Sequence, residues 1–242
     1  SGVCALMLEA NPNLSWRDVK EILLRSSLQI DSRSPYWIKR SGDRPDLPPI
    51  KHHYNYGGGL VQAKAAVDMA RTWTPLGPQI TASKEINPNI VISYTGAQPK
   101  PETSGAQKQS TVIKPPEPPK RKTVRTQFDM RSIRPMRVEN VAVTLNIAHE
   151  YRGDLQIVLR SPTGAASVLA RTSGWDFGAN YDDFTFTSMR HWGESGQGLW
   201  TLEITDYNIQ DDGIFNAATL SLTGTAAPAG RILAQPQPQL VT

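Results

Sequence analysis

Residues 141–148 read Val141-Ala142-Val143-Thr144-Leu145-Asn146-Ile147-Ala148, with a large aliphatic side chain at every second position. A period of two marks a strand with one face on a core and the other toward water. Leu155, Ile157 and Leu159 repeat it, closed by the turn Ser161-Pro162-Thr163-Gly164. Phe184 and Phe186, then Trp200, Leu202 and Ile204, then Leu220 and Leu222 repeat it again, punctuated by Gly174 and Asp211-Asp212-Gly213. Short strands in succession, with no helix between them, predict an antiparallel sandwich. One sheet would leave an apolar face bare, so two packed sheets are expected over 123–226. Residues 77–97 are its start or a connector, and 227–242, with Pro228, Pro236 and Pro238, form a loose tail.

Working back toward Ser1, the period changes. Val3, Leu6, Met7 and Ala10 fall at helical spacing, and Asn11-Pro12 stops that helix. Ser15, with Asp18 three residues on, opens a second helix through a capping-box variant, its apolar face being Val19, Ile22 and Leu23. A loop with Pro35, Pro45, Pro48 and Pro49 follows. After Tyr56-Gly57-Gly58-Gly59-Leu60, a third helix is expected from about Val61 to Trp73, with Ala63, Ala66, Val67 and Ala70 on one side. Three short helices within residues 1–76 supply little core. The first opens uncapped on an apolar stripe, so this segment is expected to pack on something outside it.

Between the two parts lies a different composition. Six of the 25 residues in 98–122 are proline, including Lys114-Pro115-Pro116-Glu117-Pro118-Pro119-Lys120-Arg121-Lys122. A semi-rigid linker or insertion is expected. A docking peptide for a proline-recognising partner and a protease-sensitive site at Lys120-Arg121-Lys122 are the sharper readings.

Composition limits the function classes. The chain has 242 residues, 38% of them hydrophobic, with 26 Lys+Arg against 22 Asp+Glu. That is ordinary for a folded domain or two. The longest apolar run, Val3 to Leu8, is six residues, against roughly 20 for a membrane span. The single cysteine, Cys4, excludes an intrachain disulfide framework and any CxxC metal site; it is expected to be a buried, unreactive thiol. Residues 1–76 carry +3, residues 77–122 carry +4 and residues 123–242 carry −3. Much of the basic excess sits in the proline-rich stretch and none of it on the sandwich, which argues against nucleic-acid binding.

Few residues invite a chemical reading. His52 and His53 lie in a loop without a G-x-S-x-G turn, and His149 and His191 follow strand patterns. No catalytic residue is assigned, because a nucleophile, base and orienting acid do not fall into a recognisable constellation. Asp182, Asp183, Asp206, Asp211 and Asp212 cluster hard oxygen ligands on loops, as Ca²⁺ sites do, but without EF-hand spacing. Arg152-Gly153-Asp154 is the integrin-recognition tripeptide, though its strand-rich setting predicts a turn or strand entry. Trp175, Phe184, Phe186, Trp192 and Trp200 are expected mainly in the core rather than as a binding platform.

Two stretches carry a family resemblance. Ser1-Gly2-Val3-Cys4-Ala5-Leu6-Met7-Leu8-Glu9-Ala10-Asn11, followed by Leu14-Ser15-Trp16-Arg17-Asp18, resembles the segment after the nucleophile motif of kexin- and furin-like subtilases. Tyr56-Gly57-Gly58-Gly59-Leu60-Val61-Gln62-Ala63 is similar to the motif that begins their last protease-domain helix. Tyr151-Arg152-Gly153-Asp154-Leu155, Leu159-Arg160-Ser161-Pro162-Thr163-Gly164, His191-Trp192 and Gly198-Leu199-Trp200-Thr201-Leu202-Glu203-Ile204 resemble the P (homoB) domain that follows.

The resemblance implies a mixed fold: the C-terminal helical remnant of an α/β subtilisin-like domain, then an all-β jelly-roll-like sandwich. It implies a parent serine endopeptidase whose triad lies upstream of Ser1, leaving this chain inactive alone. Its role would be to stabilise the protease domain. The family's calcium would sit mostly in the part of that domain not present here. The implied partners are the rest of the protease domain, a polypeptide substrate, and a chaperone or propeptide. The implied location is secreted, cell envelope or periplasm. The alternative is a non-catalytic β-sandwich module that binds a chaperone, substrate or envelope partner.

Overall fold

The computed structural model describes residues 1–40, 44, 46–92, 123–208 and 211–227. Nearly all of the proposed linker 98–122 and tail 227–242, including Lys120-Arg121-Lys122, therefore falls outside the described residues. Three helices open the chain: α1 (Gly2–Ala10), α2 (Trp16–Ser26) and, after two short strands, α3 (Ala63–Arg71). The strands β1 (Ile38–Arg40) and β2 (Ile50–His52) pair antiparallel in the loop between α2 and α3, a hairpin that the sequence pattern does not announce. The α2 cap forms as the sequence predicts. The Ser15 side chain accepts from Asp18 N–H, and the Asp18 carboxylate accepts from Ser15 N–H at 2.8 Å.

Met7, Leu14, Ile22, Ala66, Ala70 and Trp73 make a small core among the helices. The α1 stripe is only partly used, because Met7 is buried while Leu6 is half-exposed. The helices thus close on one another more than expected, and lean on the sheet through polar contacts described below.

The rest is the sandwich. β3 (Gln79–Ile86), β11 (Gly213–Ala226), β6 (Met136–His149) and β9 (Tyr181–Ser188) run in that order, with β4 (Ile90–Ile92) also on β11. The second sheet is β5 (Thr123–Asp129), β10 (Leu199–Asp206), β7 (Leu155–Arg160) and β8 (Ala166–Ala170). All these pairings are antiparallel. Residues 79–92 thus supply strands of the sandwich. Val141, Val143, Leu145 and Ile147 of β6 meet Trp200, Leu202 and Ile204 of β10 in one core, all with no exposed surface. Burying that many large side chains is the main driving force for this unit.

β11 carries two register shifts against β6, the second between Thr223 and Gly224. A Cβ on Gly224 would sit 1.9 Å from the Arg137 carbonyl oxygen, so only glycine permits this approach. Beyond it, Thr225 pairs with Arg137 and turns its hydroxyl toward the helices.

Candidate functional site: a buried ionic interface

The helices and the sandwich meet through charge rather than through an apolar face. On α2, Arg17, Glu21 and Arg25 stand four residues apart, so they form one longitudinal stripe. All three are buried. On β6, the register shift opposite Thr223 and Gly224 reverses the alternation, so Met136 and Val138 join Val141 and Val143 in the sandwich core while Arg137 and Glu139 face the other way, toward α2.

Each charge meets its opposite. Arg17 grips Glu139 in a fork, Nε to Oε2 and Nη2 to Oε1, both at 2.6 Å. Arg17 also donates to the Gly77 carbonyl at 2.9 Å and to the Thr225 hydroxyl at 2.6 Å, and that hydroxyl donates onward to Glu139. Glu21 sits between two guanidiniums, accepting from Arg25 Nε at 2.9 Å and from Arg137 Nη2 at 2.5 Å. Trp192 Nε1 donates to the same carboxylate at 3.2 Å. Arg25 spends a further N–H on the Pro48 carbonyl at 2.7 Å.

A second cluster lies beside β1 and β2. Arg40 pairs with Glu194 and donates to the Arg190 carbonyl at 2.7 Å. His191 Nδ1 lies 3.2 Å from the same Glu194, and Thr163 donates to its other oxygen at 3.1 Å. Arg190 lies over the Tyr54 ring at 3.8 Å, and its Nη1 donates to His52 Nδ1 at 3.1 Å. The Tyr54 hydroxyl donates to the Ala166 carbonyl and accepts from Val168 N–H, which covers the open edge of β8.

Local backbone geometry presents these groups. Residues 193–196 run beside the start of β6, with Val138 N–H donating to the Glu194 carbonyl and Gly193 N–H to the Val138 carbonyl, each at 2.8 Å. Gly193 takes φ +87°, which lets the chain turn and bring Trp192 and Glu194 to the Arg137 side.

Protonation equilibria follow this pairing. Burial pushes the Glu21 carboxyl up, but Arg137 and Arg25 pull it below the usual range. Glu194 is likewise raised by burial and drawn lower by His191 and Arg40. Burial, then Arg190 and Arg40, hold His52 down to about 4, so it is a neutral acceptor at pH 7.

Other candidates resolve differently. His53 Nε2 lies 2.8 Å from the Ser34 hydroxyl, a nucleophile–base distance. Its Nδ1 accepts from Asn55 N–H at 3.0 Å, so the ring proton of the neutral imidazole is on Nε2 and donates to Ser34. A base must accept there, so this pair does not activate a serine. His149 faces Asp206 at 3.5 Å inside the core.

The five aspartates do not converge. Asp182 and Asp183 lie on β9, with Asp183 accepting from Asn146. Asp206 is taken up by His149 and by Asn208 N–H. Asp211 lines a pocket of about 420 Å³ with Glu150, Asp154 and Asn208, and Asp212 follows it in the chain. Among the described residues, no group of three or more His, Cys, Asp or Glu side chains is arranged to hold a metal ion.

Arg152-Gly153-Asp154 forms a short 3-10 turn whose parts are all engaged. Arg152 pairs with Asp176, Asp154 accepts from Asn208, and a Cβ on Gly153 would meet the Asp176 carbonyl at 2.3 Å. The tripeptide anchors the 173–178 loop and is not displayed. Trp192 and Trp200 are core residues as expected, but Trp175 is 91% exposed on that loop and Phe184 is half-exposed. Core packing is therefore the wrong reading for Trp175. Cys4 is a half-buried free thiol.

The comparisons with known proteins agree with this architecture. Residues 138–222 match the family model described as the proprotein convertase P-domain. Rat proprotein convertase subtilisin/kexin type 4 is 33% identical over 93% of this chain, and kexin of Candida albicans is 32% identical over 84%. The chain spans 30% and 20% of the lengths of these two relatives. The crystal structure of the Aeromonas sobria serine protease in complex with the chaperone superposes over 93% of this chain and 42% of its own. That match has a TM-score of 0.66 at 21% identity, a likeness of fold. Strand order, core residues and sequence similarity converge, and the chain carries a P domain of the kexin-like proprotein convertase type.

Proposed function

We propose that this chain is the C-terminal portion of a kexin-like serine endopeptidase, in which the P domain stabilises the protease domain by holding its last helices. The observation that supports this most directly is the interface. Arg137 and Glu139 of β6 are buried on the side away from the sandwich core, and their charges are met by Glu21 and Arg17 of α2. A sandwich parted from these helices would lose both pairings and expose this polar face to water.

In this reading the intact enzyme cleaves polypeptide by acyl transfer through a serine nucleophile. The triad lies outside residues 1–242, and this chain alone is inactive. The calcium of such enzymes is assigned to the protease domain. Secretion or residence in the cell envelope, and a chaperone or propeptide as folding partner, belong to the same proposal. Deleting residues 79–226 from the complete protein tests it. Soluble yield and peptidase activity are expected to vanish together. Full activity without the sandwich would overturn the proposal.

A second reading, a partner-binding module, is favoured by one feature. Trp175 is exposed on the anchored loop that carries Phe177, and Phe177 lines the pocket with Glu150, Asp154 and Asp211. Retained folding and peptidase activity with loss of a co-purifying partner in Trp175→Ala/Phe177→Ala would support that module.

A further inference from the structure

The interface uses an unusual currency for a surface that has only to be sticky. Arg17, Glu21, Arg25, Arg137 and Glu139 are each under 7% exposed, and Glu21 has no exposed surface. Removing five charges from water costs several kcal/mol apiece, which attraction in the interior recovers only in part. Aliphatic side chains of the same volume would hold the two surfaces as well or better. Arg25 Nη2 and Arg40 Nε are, in addition, buried without a protein acceptor among the described residues. Adhesion alone does not account for such an arrangement.

Register does. The α2 stripe reads plus, minus, plus at Arg17, Glu21 and Arg25, against plus and minus at Arg137 and Glu139 on β6. In the observed seating the pairs Arg17–Glu139, Arg25–Glu21 and Arg137–Glu21 each join opposite charges. Sliding α2 by one step of four residues, about 6 Å along its axis, would set Glu21 against Glu139. That places like charges together in a buried site, which costs several kcal/mol. An apolar stripe would accept both seatings.

We infer that the Arg17–Glu21–Arg25 stripe and the Arg137–Glu139 pair form a register key: they specify which helical surface the sandwich accepts, and in which seating, while contributing little net binding strength. The partner so defined is a helix with alternating cation, anion and cation at four-residue spacing. This inference rests on the proposed holding of the protease helices by the sandwich.

The test separates register from strength in the complete protein. Spin labels are placed on Asp68→Cys of α3 and Glu85→Cys of β3, both exposed, with Cys4→Ser and any other accessible cysteine replaced. Distances are measured by pulsed electron resonance with and without the set Glu21→Leu/Arg25→Met/Arg137→Met. The key predicts a melting temperature within about 5 °C of the parent, or above it. It also predicts that the single narrow distance distribution splits or broadens at least about twofold.

A narrow, unshifted distribution at an unchanged melting temperature overturns the key and leaves the holding role standing. A narrow distribution with a melting temperature more than about 10 °C lower overturns it too, showing the charges supply strength. A broad distribution in the parent itself would contradict the holding role instead. Should the triple set not fold, Arg17→Met/Glu139→Leu removes one cation and one anion together and carries the same readouts.

Discussion

Glu21→Gln is the most informative single substitution at the interface. The two side chains have nearly the same volume, so no cavity opens, and the amide oxygen can still accept from Trp192 Nε1. What is lost is one negative charge between Arg25 and Arg137, at 2.9 and 2.5 Å. Both guanidiniums are almost fully buried and neither can shed its proton. Leaving a buried charge without its counter-ion costs about 3–5 kcal/mol. For a chain of this size that lowers the melting temperature by about 10 °C. The exposed Lys64–Asp68 pair on α3 is the control: Lys64→Gln should cost under about 0.5 kcal/mol. The assay is urea denaturation of both variants, followed by tryptophan fluorescence and by far-ultraviolet circular dichroism. Glu21 is held below its ordinary value of 4.5, so its contribution is present above that pH and is lost as pH falls through the folded value. The gap between wild type and Glu21→Gln should therefore narrow in acid. A difference below about 1 kcal/mol at pH 7 would refute the account of Glu21 as a buried counter-ion.

Three further outcomes are expected. Gly224→Ala drives a methyl group into the Arg137 carbonyl and should destabilise the chain by about 3 kcal/mol, read by the same urea titration. His52 is held down to about 4, so its share of stability is present above about 6.5 and is lost as pH falls from there through about 4. His52→Gln should flatten that part of the melting-temperature profile. Trp175→Ala should change stability by no more than about 0.5 kcal/mol, since the side chain is 91% exposed. A larger loss would show that the 173–178 loop packs against more of the protein than Arg152-Gly153-Asp154.

The sandwich was legible because period two is a local property. Val141 to Ile147, Leu155 to Leu159 and Trp200 to Ile204 all point inward as the alternation requires. The α2 cap was equally local. The hairpin of β1 and β2 was not, since three-residue strands rich in Lys and Arg carry no apolar alternation. The interface was missed for a different reason. Reading only apolar residues along α2 finds Val19, Ile22 and Leu23 and passes over Arg17, Glu21 and Arg25, which are buried because β6 supplies opposite charges. Parity gives no signal here: counted straight back from Val141, Arg137 and Glu139 would face the sandwich core, but the register shift at the start of β6 turns them toward α2. Trp175 misled because aromatic residues in a β-rich segment default to the core, whereas it lies on a loop between β8 and β9 and is 91% exposed.

The central claim is that the sandwich seats the helices by complementary buried charge, and a charge exchange across the interface tests it most directly. In the complete protein, Arg137→Glu sets two carboxylates against each other at Glu21 and should abolish soluble, active protease. Adding Glu21→Arg restores an opposite pair at the same place, and at least a tenth of the parental activity should return. Full activity in the Arg137→Glu single variant would contradict the claim.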